Sequence, residues 1–162
     1  MFYKTSTGAE AGPFNVGMGT IERQGWVAWT VHDDNGFDVT GTNVSGTGST
    51  AASVPSLTTT QDDDLFIGVV ATDVSAGLTT PMTPATMTKL AEAAASSAAA
   101  VAVFFETAAT AGSWPSNTGV TLNVAEQWLG VSFAIKGVVA TGITRPIHPI
   151  MSRQVPISQL RI

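Results

Sequence analysis

The run Leu65-Phe66-Ile67-Gly68-Val69-Val70-Ala71 is apolar on both alternations of an extended chain. A strand with one wet face alternates apolar and polar side chains, so this run belongs at the centre of a sheet with both faces covered. The rest of the chain must supply the covers. Trp26-Val27-Ala28-Trp29-Thr30-Val31 and Trp128-Leu129-Gly130-Val131-Ser132-Phe133-Ala134-Ile135 are rich in β-branched and aromatic residues, and each predicts a strand buried on at least one face. Shorter strands are expected over 118–124 and 101–106. Between them lie turn-forming clusters such as Asp33-Asp34-Asn35-Gly36. The Ala-rich stretch 89–102 has the intrinsic propensity of a helix. The alternation of Val101, Val103 and Phe105 with Ala102 and Phe104 predicts a hairpin instead, 87–93 with 99–106, turning around Ser96-Ser97.

Two tracts match each other without a gap. Phe2, Thr5, Pro13, Gly17 and Trp26 recur at one constant offset as Phe104, Thr107, Pro115, Gly119 and Trp128. Such a pattern predicts two copies of one β-unit. The copy at 38–137 carries a long stretch ahead of its Phe104-Phe105 strand, whereas the copy at 1–37 starts almost at Phe2-Tyr3. About one and a half units are therefore expected. The strand at Phe2 to Thr5 should lie at a sheet edge that a neighbouring subunit completes.

Only 12% of the residues are charged and 44% are hydrophobic, with no cysteine among 162. The charged share is about half the usual one, so the polar surface must be largely Thr, Ser, Asn and Gly, which suits a protein packed among neighbours. Without cysteine there is no disulfide framework and no thiol nucleophile. The start Met1-Phe2-Tyr3-Lys4-Thr5 has no basic region leading into an apolar run and is not expected to be a signal peptide. No stretch reaches the roughly 20 apolar residues that cross a membrane as a helix.

The last 25 residues differ in kind. Residues 1–137 hold all 12 acids and four of the seven Lys and Arg, a net charge of −8, while Arg145, Arg153 and Arg161 give the remainder +3. Pro146, Pro149 and Pro156 favour extended backbone and break ladders. Ile147, Ile150, Val155, Ile157 and Leu160 supply apolar side chains that a disordered tail normally lacks. Residues 138–162 are expected to form an arm that docks on a partner.

The framework Pro84…Met87-Thr88-Lys89-Leu90…Val103-Phe104-Phe105-Glu106-Thr107-Ala108…Gln127-Trp128-Leu129-Gly130-Val131, with the upstream stretch 54–65, resembles a group of bacteriophage virion β-sandwich proteins. The resemblance covers residues 1 to about 137, and its motifs are structural. It implies a two-sheet sandwich that decorates heads, tails or fibres.

Candidate chemistry is sparse. His32-Asp33-Asp34-Asn35-Gly36 has the composition of a turn. Asp62-Asp63-Asp64 lacks the alternating spacing and distal Glu of a calcium loop, so a solvated turn is expected. His148 stands between two prolines, and no G-x-S-x-G turn is present. The acidic body argues against nucleic acid, whose phosphates require Lys and Arg. Trp26 and Trp128 are expected in the core. Trp114, in a Gly-Ser-Trp-Pro loop, is the aromatic expected to serve surface recognition.

These observations predict an all-β protein, a two-sheet β-sandwich of jelly-roll or Ig-like type built from an internal repeat over 1–137, with the arm at 138–162. No catalytic, metal or cofactor site is expected, and neither a nucleic-acid nor a membrane partner. The expected role is that of a capsid decoration or cement protein on the phage particle surface, a homo-oligomer guessed to be a trimer. It would attach to the major capsid protein or another virion protein through Arg145, Ile147, Ile150, Arg153, Val155, Ile157, Leu160 and Arg161. The alternative is a receptor- or glycan-binding tail or fibre module.

Overall fold

The structure, a computed structural model, describes residues 27, 29, 31, 36–73, 82–95, 99–115 and 117–137. They form antiparallel strands and no helix. The strands are β1 (Phe37–Val39), β2 (Asn43–Ser53), β3 (Leu57–Thr58), β4 (Asp64–Asp73), β5 (Thr83–Pro84), β6 (Thr88–Ala95), β7 (Ala99–Ala108), β8 (Ser113–Trp114) and β9 (Gly119–Ile135). The main sheet runs β1-β9-β4-β7-β6, with β2 and β5 also paired to β9, while β3 and β8 pair separately.

The doubly apolar run is central, as its pattern requires. β4 lies between β7 and β9, paired to both along its length. The Ala-rich segment is a hairpin, β6 with β7, paired from Ala95 opposite Ala99 to Thr88 opposite Phe105 with an irregularity between Lys89 and Ala91. Two expected strands, 118–124 and 128–135, prove to be one. β9 runs 17 residues without a break, because Ala125-Glu126-Gln127 contains no Gly or Pro to interrupt it and β2 spans the junction.

Alternation sorts the sheet into two faces. The first holds Phe66, Val70, Ala102, Phe104, Val120, Leu122 and Ala134, packed with Val54, Met82 and Met87. Ser53 and Val54 pass directly over β9 here. A Cβ on Gly130 would lie 1.9 Å from the Ser53 carbonyl oxygen, so only glycine admits the crossing. The second face holds Ile67, Val103, Phe133 and Ile135. Phe37 meets Phe133 edge to face, with centroids 5.5 Å apart. A bulge between Phe37 and Val39 sends these two residues to opposite faces.

The expected strand at 26–31 is not observed as such. Val27, Trp29 and Val31 lie outside any strand and pack against the second face as a cover. Strand composition reports fitness for a half-buried surface, and a covering segment needs the same side chains. Apart from Gly36 and Phe37, the rest of the first repeat copy, including Phe2 to Thr5 and Trp26, falls outside the described residues, as do His32, His148 and all of 138–162.

Candidate interaction edge

The two lateral edges of the main sheet are chemically different. β6 is guarded. The Lys89 ammonium meets Glu92 Oε2 at 2.6 Å and donates to the Met82 carbonyl at 3.3 Å, while Glu92 Oε1 accepts from the Met82 N–H at 2.9 Å. An ion pair and a strapped backbone segment thus lie along β6, one of the ways natural edges avoid unwanted pairing.

β2 has no such guard. Its ladder is with β9 alone, and among the described residues no strand pairs its other side. No charged residue occurs from 39 to 61, and β2 itself contains no proline. Asn43, Ser45, Thr47 and Thr50 are exposed along it. The ladder is irregular between Gly46 and Ser49 and again between Ser49 and Ala51. At Gly46 the backbone lies under the indole of Trp128, which leaves no room for a side chain.

Beside this edge the second face opens. The rung Phe133–Ile67–Phe105 sits where Val27, Trp29 and Val31 cover the sheet. Further along, Val131, Val69 and Ala91 are half-buried around buried Val103, and the next rung is Ser45, Leu129, Ala71, Val101 and Ala93. Leu129, at 44%, is the one large hydrophobic side chain exposed among the described residues. An apolar strip therefore emerges at the bare edge.

Trp114 is half-buried and packs against the first-face core, and its Nε1 donates to the Thr110 carbonyl at 2.9 Å. Its N–H is engaged within its own loop. Trp128 packs against the same core as expected, half-buried rather than enclosed. Trp128 Nε1 and its cross-strand neighbour's Oγ1, on Thr72, are buried without hydrogen-bond partners.

The three acids of the expected solvated turn separate into different roles. Asp62 Oδ1 accepts from the Ala111 N–H at 2.8 Å, and Asp63 takes a left-handed conformation at φ 61°. Asp64 corrects the expectation: it is completely buried as the first residue of β4. Its Oδ1 accepts from Gln61 Nε2 at 2.9 Å and from the Gly137 N–H at 3.1 Å. The Asp38 carboxyl, 26 residues earlier, accepts from the Thr60 N–H at 2.6 Å and from the Thr60 hydroxyl. Among the described residues, no group of three or more His, Asp or Glu is gathered in a way that could hold a metal ion.

The arm residues Arg145, Ile147, Ile150, Arg153, Val155, Ile157, Leu160 and Arg161 lie outside the described residues. Sequence reasoning missed the β2 edge and Leu129. The charge-free span 39–61 is a signal for the edge, whereas nothing local marks the exposure of Leu129. Comparison with protein-family models, curated proteins and solved structures finds no match.

Proposed function

We propose that this chain is a structural, non-enzymatic protein of a bacteriophage particle, a decoration or cement protein that joins its neighbours through a sheet edge and its C-terminal arm. The observation that carries the proposal is the contrast between the two edges. A sheet that guards β6 with an ion pair and leaves β2 without a charge, beside exposed Leu129, suits pairing with another chain along β2. Its Ser, Thr and Gly residues keep that edge small and place no like charges opposite one another when a second copy approaches.

In this proposal the body is a two-layer sandwich of jelly-roll type. β9 bends from one layer to the other, and the close crossing of Ser53 over Gly130 supports that reading. The internal repeat belongs to the same proposal. β2 pairs with a strand of a second copy, making the protein a homo-oligomer. The arm runs onto the major capsid protein or another virion protein, with its arginines facing carboxylates and its apolar residues filling grooves.

Sedimentation of the full chain tests the edge. The wild type should associate at micromolar concentration. Ser45→Lys and Thr47→Lys, which put charges on exposed β2 positions, should leave a folded monomer. A monomeric wild type would refute edge pairing. Mass spectrometry of purified phage particles tests the setting: the chain should be present at a fixed copy number, and its absence would refute the virion role.

A further inference from the structure

At the end of β4 a cleft of about 340 Å³ opens between β2, β4 and β9, with Ser45, Thr47, Ala71, Asp73, Gln127 and Leu129 in its lining. Asp73 lies opposite Gln127, and Ala71 opposite Leu129. By alternation these four side chains continue the apolar strip of the second face. Asp73 is exposed and is the only charged residue lining the cleft. No hydrogen bond or ion pair reaches its carboxylate from any described residue. Exposed Leu129 stands one rung away. An occupant that suits both groups is a cation with apolar neighbours on the same side of an extended chain.

The chain holds seven Lys and Arg. Lys89 is bonded to Glu92, and Lys136 stands at the far end of β9. In an extended segment, residues two apart share a face. Among the other five, only Arg145 and Arg153 carry large apolar residues at that spacing on both sides. Ile143 and Ile147 flank the first, and Met151 and Val155 the second. Lys4 is followed by Ser6, Arg23 by Gly25, and Arg161 is preceded by Gln159 at the same spacing. Chain length separates the two that remain. The Gly137 N–H donates to Asp64 at the start of β4, and Asp73 closes that strand nine residues later. The return from Gly137 to Asp73 is therefore about 30 Å at the rise of a strand. Arg145 is eight residues past Gly137, too few to reverse direction and cover that length. Arg153 is sixteen past it, enough for both.

We propose that Arg153 docks in this cleft of its own chain, its guanidinium on the Asp73 carboxylate and Met151 and Val155 over Leu129 and its apolar neighbours. Residues 138–162 contain no acid that competes for Arg153, and Pro156 favours an extended Val155. An exposed ion pair is a weak contact, so the tether decides the occupant. It holds the arm over its own cleft at an effective concentration on the order of millimolar, an advantage that a separate copy at micromolar concentration lacks. The inference concerns the chain before assembly and stands apart from the virion reading.

The test uses the full chain carrying Arg153→Lys, which places an amine where the guanidinium docks. A zero-length carbodiimide should condense that amine with the Asp73 carboxyl to an amide, itself taking up the water as a urea. Peptide mass spectrometry locates the link. In an equal mixture of ¹⁴N and ¹⁵N chains, both halves of the linked peptide should carry the same label. Arg145→Lys and Arg161→Lys should link to Asp73 about tenfold less. A mixed label would overturn the proposal by making a second copy the occupant, as would links spread evenly over Asp62, Asp63 and Asp73. Trypsin gives a second reading without a new amine. Its cut between Arg153 and Gln154 should be about fivefold faster in Asp73→Asn than in the wild type, and equal rates would also overturn the proposal.

Discussion

The indole of Trp128 lies across Gly46 so closely that a Cβ at position 46 would stand 2.7 Å from its Cε2 atom. Since Gly46 and Trp128 are directly opposed in the β2–β9 ladder, the glycine sets where the ring can lie. Gly46→Ala should force the ring outward and cost about 1–3 kcal/mol through overpacking. Denaturant unfolding measures the loss, and a red shift of tryptophan emission reports the displaced ring.

Trp114 separates the assembly reading from the glycan-binding alternative. Trp114→Phe removes the N–H that bonds to Thr110 but keeps a ring against the core. It should cost roughly 0.5–1.5 kcal/mol, the net worth of one hydrogen bond, and leave oligomerisation unchanged. Loss of binding to a glycan array without loss of stability would favour the alternative.

Asp38 and Asp64 make stability depend on pH in opposite directions. Asp38, held low, contributes stability above its unfolded value of about 3.9, and that contribution is lost as pH falls through the lowered folded value. Asp64, held high, contributes stability below about 3.9, and that contribution is lost as pH rises through the raised folded value. Urea midpoints measured against pH should therefore show an acid limb absent from Asp38→Asn and an alkaline limb absent from Asp64→Asn.

The guard on β6 can be removed alone. Lys89→Ala deletes the ion pair with Glu92 and the bond to Met82. Lys89 is exposed, so the stability cost should be no more than about 1 kcal/mol. The main effect expected is faster aggregation through an edge that has lost its lysine and the strap to Met82, read by light scattering against the wild type.

Deleting residues 138–162 should leave the body folded, because the strands described end at Ile135, while abolishing attachment to the particle. Unfolding of the truncated chain would show instead that the tract completes the body. Replacing Arg145, Arg153 and Arg161 with Ala should weaken attachment most at low salt, where screening is least.

Local pattern determined much of this protein. Leu65 to Ala71, apolar on both alternations, could only be satisfied inside a sheet, and the alternation around Val103 overrode the helix propensity of its alanines. Both are statements about which side chains leave water, and periodicity records them directly. The continuity of β9 was only partly legible, because the absence of a breaker at 125–127 becomes decisive once β2 spans the gap. Val27, Trp29 and Val31 show the limit of such reasoning: the composition announces burial but not whether a ladder or a cover provides it. Tertiary structure alone decided the fate of the acids. Asp62, Asp63 and Asp64 are identical in type and adjacent in sequence, yet only Asp64 is sealed from water, because β4 begins there and Gln61 and Gly137 donate to its carboxyl. The energy of a buried carboxyl depends on what the fold brings to it from elsewhere in the chain, and that placement leaves no trace in local spacing.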